Sequence, residues 1–164
     1  MSTATFIQRI DYGRQAEQEF ISYLMSKNTS YFKTGQEWWM PRWIHDKLRH
    51  VLNDDSIRLL RHFPDFSVFI NGKYFLVQVK AAPTSRNYPT VTIERDSFDC
   101  SKKLCSLGLP VLLVWLIEDG TLLAQWTDRI NPEMPNTPRE ETNGSHTPQY
   151  NIRKKELRPI SEFV

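Results

Sequence analysis

The chain has 164 residues, with 21 Lys and Arg against 19 Asp and Glu, and 40% hydrophobic and 12% aromatic side chains. That is apolar material for one globular domain rather than two, and it excludes disordered and collagen-like chains. The longest apolar run, Leu109 to Ile117, is shorter than the ~20 residues that span a bilayer, the N-terminus has no signal-peptide pattern, and a formal charge of +2 hints only faintly at a polyanionic partner. A cytoplasmic protein with no membrane partner is expected.

In chain order, Asp11 can cap a first helix running to about Lys27. At roughly 100° per residue, Gly13, Ala16, Glu17, Phe20, Ile21 and Leu24 fall on one stripe, with Glu17 near its middle and Glu19 well outside it. Glu17 is therefore expected to face the interior, where a carboxylate must be paired or bind a metal. Gly13 costs about 1 kcal/mol relative to Ala inside a helix, which is tolerable if the helix lies close against a sheet. Pro41 can occupy the first turn of a second helix to about Asn53, with His45, Leu48, Val51 and Leu52 at helical spacing.

Strands are expected over Ile57 to Arg61, Phe66 to Ile70, Lys73 to Lys80 and Thr90 to Ile93. Asp96 or Ser97 starts another helix, which Gly108 and Pro110 stop. Cys100 and Cys105 would point to different faces of it, suiting neither a bridge nor a zinc site. Leu109 to Ile117 is apolar on both faces, as a strand in the middle of a sheet must be, and Glu118-Asp119-Gly120 turns it into Thr121 to Thr127. Asn131 to Tyr150 holds Pro132, Pro135, Pro138 and Pro148 and reads as a flexible insertion at 131–149 within a single domain, 1–164. Beyond it, Ile152, Leu157, Ile160 and Phe163 are too apolar for a free tail, so the last segment is expected to pack back. The order predicts a mixed α/β domain with helices on a central sheet.

The sharpest local signal is Asn71-Gly72 between two β-rich runs, since a two-residue type I′ turn needs positive φ at both central positions. Pairing Ile70 with Lys73 sets Phe66 opposite Val77, Val68 opposite Phe75 and Asp65 opposite Gln78. Phe66, Val68, Phe75, Val77 and Val79 then form one apolar face, while Asp65, Ser67, Gln78 and Lys80 form the other. Directly opposed residues have Cβ atoms roughly 4.5–5.5 Å apart, so two side-chain oxygens can converge on one cation with Lys80 beside them.

Glu17 on a first helix, Pro64-Asp65 at the start of a strand and Gln78-Val79-Lys80 at the end of the next resemble the PD-(D/E)xK nuclease superfamily, with Gln in the middle acidic position. Tyr12-Gly13-Arg14-Gln15-Ala16-Glu17 is similar to the opening helix of its Holliday-junction-resolvase branch. The resemblance covers about Asp11 to Thr127. It implies a restriction-endonuclease-like core, a central mixed β-sheet flanked by helices. The implied activity is metal-dependent hydrolysis of phosphodiester bonds in DNA, at branched or structured sites, with RNA not excluded. Asp65, Gln78, the carbonyl of Val79 and Glu17 would hold Mg²⁺ or Mn²⁺, and Lys80 would orient and activate the attacking water. Hard cations of this kind want oxygen ligands and keep several waters. Members of the superfamily that pair two sites on two strands also suggest a homodimer. The departure is Gln78, an oxygen donor without charge. Relatives with Gln there include active nucleases and others that only bind, so a catalytically reduced nucleic-acid-binding or assembly module on the same fold is the alternative. A metal-free domain in which Pro64-Asp65 is merely a turn would require Asp65 and Gln78 to lie far apart.

Other residues carry open readings. Trp38, Trp39, Arg42 and Trp43 could stack on unpaired bases or simply anchor a helix, and Arg14, Lys102, Lys103, Arg153, Lys154 and Lys155 could contact phosphates or merely face solvent. His62 lies nearest the proposed cation pocket, yet none of His45, His50 and His62 has the spacing of a zinc site or triad, so each is read as structural or solvent-exposed. Ser97 and Ser101 have no base beside them in the sequence, and Glu94 either faces the site or packs.

Overall fold

A computed structural model describes residues 3–34, 59–83, 88–134 and 148–164 of the chain. Helix α1 (Thr3–Ser26) leads into β1 (Ser30–Lys33), β2 (Phe66–Ile70), β3 (Lys73–Ala82), β4 (Thr90–Glu94), α2 (Arg95–Ser106), β5 (Val111–Ile117), β6 (Leu122–Trp126), β7 (Gln149–Arg153) and β8 (Arg158–Pro159). Six strands form one mixed sheet in the order β1-β2-β3-β5-β6-β8. Among the described residues β3 and β5 pair in parallel and the other neighbours run antiparallel. Strands β4 and β7 form a separate antiparallel ribbon.

The Asn71-Gly72 turn sets this arrangement. Both residues have positive φ, 50° and 74°, as a type I′ turn demands, and the register is the expected one, with Phe66 opposite Val77, Val68 opposite Phe75 and Ile70 opposite Lys73. The two faces of the sheet consequently bury different layers. Phe66, Val68, Phe75, Val77 and Val79 pack with Leu112, Val114 and the Ala16, Phe20 and Leu24 ridge of α1. On the opposite face Leu76, Val111, Leu113 and Trp115 pack with Phe98, Cys100 and Leu104 of α2 and with Ile152 of the ribbon. Strand β5 supplies both layers, which explains its unbroken apolar run. Trp115 is fully buried, and its indole N–H donates to the carbonyl of Thr92 at 3.1 Å, tying the ribbon to the sheet.

Several local expectations need correction. Helix α1 already begins at Thr3, so Asp11 lies inside it instead of capping it, because nothing between Thr3 and Ile10 is a Gly or Pro that would stop a helix. Residues 59–61 are helical, not strand: Leu and Arg are good helix formers, and a short apolar run does not separate the two states. Strands β1, β7 and β8 were not expected. Pro41 to Asn53, with Trp38, Trp39, Arg42 and Trp43, lies outside the described residues, as does most of the expected insertion at 131–149. At the edges of that segment, Glu133 and Asn151 exchange two backbone hydrogen bonds of 2.8 Å, and Leu157 and Ile160 are buried.

The close approach of helix to sheet inferred at Gly13 is not seen: among the described residues, a Cβ placed there would meet nothing within 4 Å. Gly13→Ala is therefore expected to stabilise the chain by about 0.5–1 kcal/mol through lower unfolded-state entropy, raising Tm by roughly 1–4 °C. Thermal unfolding checks it, and a lowered Tm would contradict the open surroundings.

Candidate active site

Asp65 sits immediately before β2, at a backbone position held from the neighbouring strand. Thr34, just past β1, donates its hydroxyl to the carbonyl of Pro64 at 2.7 Å and its N–H to the carbonyl of Asp65 at 2.8 Å. Across the hairpin, Asp65 Oδ2 accepts from the backbone N–H of Val79 at 2.7 Å and from the side-chain amide Nε2 of Gln78 at 2.5 Å. Gln78 is only 5% exposed. The carboxylate and amide that the register sets opposite each other are thus in direct contact. That excludes the reading in which they lie far apart.

Alternation along β3 determines what surrounds this pair. Val79 points into the α1 layer, whereas Gln78 and Lys80 project to the α2 face, with Lys80 partly buried. Glu17 approaches from α1, on the other side. Ala16, Phe20 and Leu24 form the fully buried ridge, and Glu17 lies at its margin, 26% exposed rather than central to it. Its carboxylate pairs with the ammonium of Lys33 at 3.6 Å. Lys33 is the strand partner of Phe66, the residue after Asp65, and its ammonium stands 5.8 Å from the Phe66 ring centroid. Glu17 is therefore already paired with a cation, one carried by the strand that neighbours β2. Arg14 is exposed three residues earlier on the same helix.

A polar group missed by sequence spacing lies on the Lys80 side. His62 Nδ1 is 3.3 Å from Ser97 Oγ, Ser97 donates to Glu94 Oε2 at 3.3 Å, and His62 Nε2 is 3.7 Å from Asp96 Oδ2. Ser97 thus has a base beside it after all. His62 and Ser97 are 35 positions apart, and only the fold brings them together. Lys102 and Lys103 lie further along α2, roughly 9–11 Å by helical rise from Asp96. Lys102 stands over the Phe98 ring at 5.8 Å. Arg153 is paired with Glu133. Burial raises the Cys100 thiol to about 11, so it is no nucleophile at neutral pH.

Among the described residues no three His, Cys, Asp or Glu side chains converge as a metal site. A cation at the hairpin would instead be held by the Asp65 carboxylate with the amide oxygen of Gln78 and the carbonyl of Val79. This donor set fits a hard divalent ion, since every donor is an oxygen. The two ends of the Gln78 amide are nearly the same size, so rotation about χ3 presents Oε1 where Nε2 now lies without needing more room.

The sheet order and two flanking helix layers are those of the restriction-endonuclease-like nuclease fold. Hjc, a Holliday junction resolvase from the archaeal hyperthermophile Archaeoglobus fulgidus, superposes on 92% of this chain and 93% of its own with a TM-score of 0.53 and 10% sequence identity. A nuclease from a fusselovirus aligns over 99% of this chain and 90% of its own, with a TM-score of 0.46 and 10% identity. No protein-family profile and no curated protein sequence matches the chain.

Proposed function

We propose that the chain is a nuclease that hydrolyses phosphodiester bonds in DNA with Mg²⁺ or Mn²⁺ at the β2–β3 hairpin. The observation that carries this reading is the contact of Asp65 with Gln78 and with the Val79 backbone, beside Lys80. Bound there, the cation would lower the pKa of a coordinated water and offset the charge that builds on the phosphate. Asp65, Gln78 and Val79 would hold it, Glu17 would reach it through water once released from Lys33, and Lys80 would orient the attacking water against the phosphate. The fold shared with a Holliday junction resolvase supports a branched or structured substrate, with a homodimer supplying one site per strand. Arg14, Trp39, Arg42, Lys102 and Lys103 are the residues proposed to contact its backbone and bases.

One observation favours a second reading. The Gln78 amide donates directly to Asp65, so the carboxylate is satisfied without a cation, as it would be in a module that binds nucleic acid without cutting it. Mn²⁺ titration separates the two. An intact site at about one hundred times its Kd adds about 2.7 kcal/mol, or roughly 5–11 °C in Tm, and EDTA reverses it. No shift in Tm, together with intact four-way junctions after incubation with either cation, would favour the binding module. Cleavage that persists in EDTA would exclude the metal mechanism.

A further inference from the structure

Strand pairing sets three aromatic side chains side by side on the hairpin and its neighbour. Phe69 of β2 lies opposite Tyr74 of β3, and Phe32 of β1 lies opposite Ser67, two positions from Phe69 on the same face. Directly paired residues have Cβ atoms roughly 4.5–5.5 Å apart and diagonal ones roughly 7–8 Å, so the three rings make one patch. The patch is open to solvent. Phe32 is 74% exposed, Phe69 54% and Tyr74 49%, whereas Leu76, the next residue of that face on β3, is buried within the α2 layer.

Alternation puts the patch on the face that carries the candidate site. Tyr74, Leu76, Gln78 and Lys80 succeed one another on β3, and Phe69, Ser67 and Asp65 run beside them. At ~3.3 Å per residue the rings of Phe69 and Tyr74 are set roughly 13 Å along the strands from Asp65 and Gln78, about four nucleotides of a stacked strand at ~3.4 Å each.

A contiguous apolar patch beside a sheet edge invites association and marks an interaction site. Charge selects the partner. Strands β1, β2 and β3 hold three lysines and no carboxylate. Lys33 is paired with Glu17, while Lys73, exposed beside the turn, and Lys80, next to Asp65 and Gln78, bracket the patch along β3. A second copy laid on this face would set lysine against lysine. A nucleic-acid strand answers both features, with phosphates for the lysines and bases for the rings, since every base has a π-face.

We propose that Phe32, Phe69 and Tyr74 form a stacking platform for unpaired bases of the DNA substrate, which holds a single-stranded arm leading to Asp65. A fully paired arm keeps its bases stacked on one another and offers the rings no face. The assignment rests on the nuclease reading and adds what the site recognises, a strand whose bases are free of a duplex.

The test is binding measured in EDTA, where no cleavage intervenes, by fluorescence anisotropy of a mixed-sequence single-stranded DNA and of an abasic deoxyribose-phosphate strand of the same length. Wild type is expected to bind the strand with bases more tightly. Phe32→Ala, Phe69→Ala and Tyr74→Ala each weaken that binding roughly 5- to 150-fold and leave abasic binding nearly unchanged. Phe69→Leu, which keeps apolar bulk in the strand, shows most of the same loss. Equal wild-type affinity for the two strands, or variants that weaken both alike, would overturn the platform. Sedimentation equilibrium of wild type and Phe69→Ala is expected to give the same oligomeric state, and a dimer that Phe69→Ala converts to monomer would overturn the platform in favour of a surface between copies. Both failures leave the nuclease reading standing. A wild type that prefers the strand with bases yet cleaves no DNA with Mg²⁺ or Mn²⁺ would overturn the nuclease reading and support the platform.

Discussion

Asp65→Asn is expected to lower metal-dependent cleavage roughly a thousandfold or more while leaving Tm close to that of wild type. The loss follows from removing the charge that would hold the cation directly. Charge stabilisation by a bound metal is worth several kcal/mol, and each ~1.4 kcal/mol is a factor of ten in rate. The fold survives because an Asn oxygen in the place of Oδ2 still accepts from both the Val79 N–H and the Gln78 Nε2. Asp65→Ala behaves differently. It strands the N–H of Val79 and the Nε2 of the buried Gln78, each at about 1–3 kcal/mol, so lost stability is mixed with lost chemistry. Single-turnover cleavage and calorimetry on both variants separate the effects. More than a tenth of the wild-type rate in Asp65→Asn would mean that the carboxylate does not hold the catalytic ion.

The second large effect is expected at Gln78. Gln78→Glu replaces an amide that donates to Asp65 with a second carboxylate at contact distance, which repels it unless a cation or proton lies between. In EDTA at pH 8 the variant is expected to lose on the order of 2–3 kcal/mol, roughly 4–12 °C in Tm. The pair binds its shared proton with a folded-state pKa raised above the unfolded value. The variant's stability is therefore retained below the ordinary glutamate range and lost as pH rises through the raised value. Mn²⁺ reverses the deficit and produces a larger thermal shift than in wild type, and cleavage at low metal is equal or faster. A variant as stable as wild type in EDTA at pH 8, with no gain from Mn²⁺, would show that the two side chains do not share a cation.

These expectations depend on the part of the fold that is most legible in the sequence. The Asn71-Gly72 turn sets a register, and that register brings Asp65 to Gln78, because hairpin geometry is local and period two leaves no freedom once one pair is chosen. The double-sided run of β5 is legible for a similar reason. What was missed is nonlocal or weakly patterned. Strand β1 is four residues at a sheet edge with Phe32 left in solvent, so its pattern resembles a loop. Strand β7 exists through pairing with β4, across more than fifty positions, and neither its length nor its composition announces it. The helix stripe located Glu17 near the sheet but not its ion pair, since Lys33 arrives on the unforeseen β1. His62, Ser97 and Glu94 were each visible as residue types. Their hydrogen bonds arise from the junction of β4 and α2 meeting the segment before β2, which spacing along the chain does not encode.

The most direct test of the cation site is diffraction from crystals grown with millimolar Mn²⁺, measured for anomalous scattering. A peak is expected at the start of β2 with Asp65 carboxylate, Gln78 Oε1 and Val79 carbonyl oxygen within ~2.0–2.3 Å, and with the Gln78 amide rotated away from its hydrogen bond to Asp65. A map with no peak there, and Gln78 Nε2 still donating to Asp65 at saturating Mn²⁺, would contradict it.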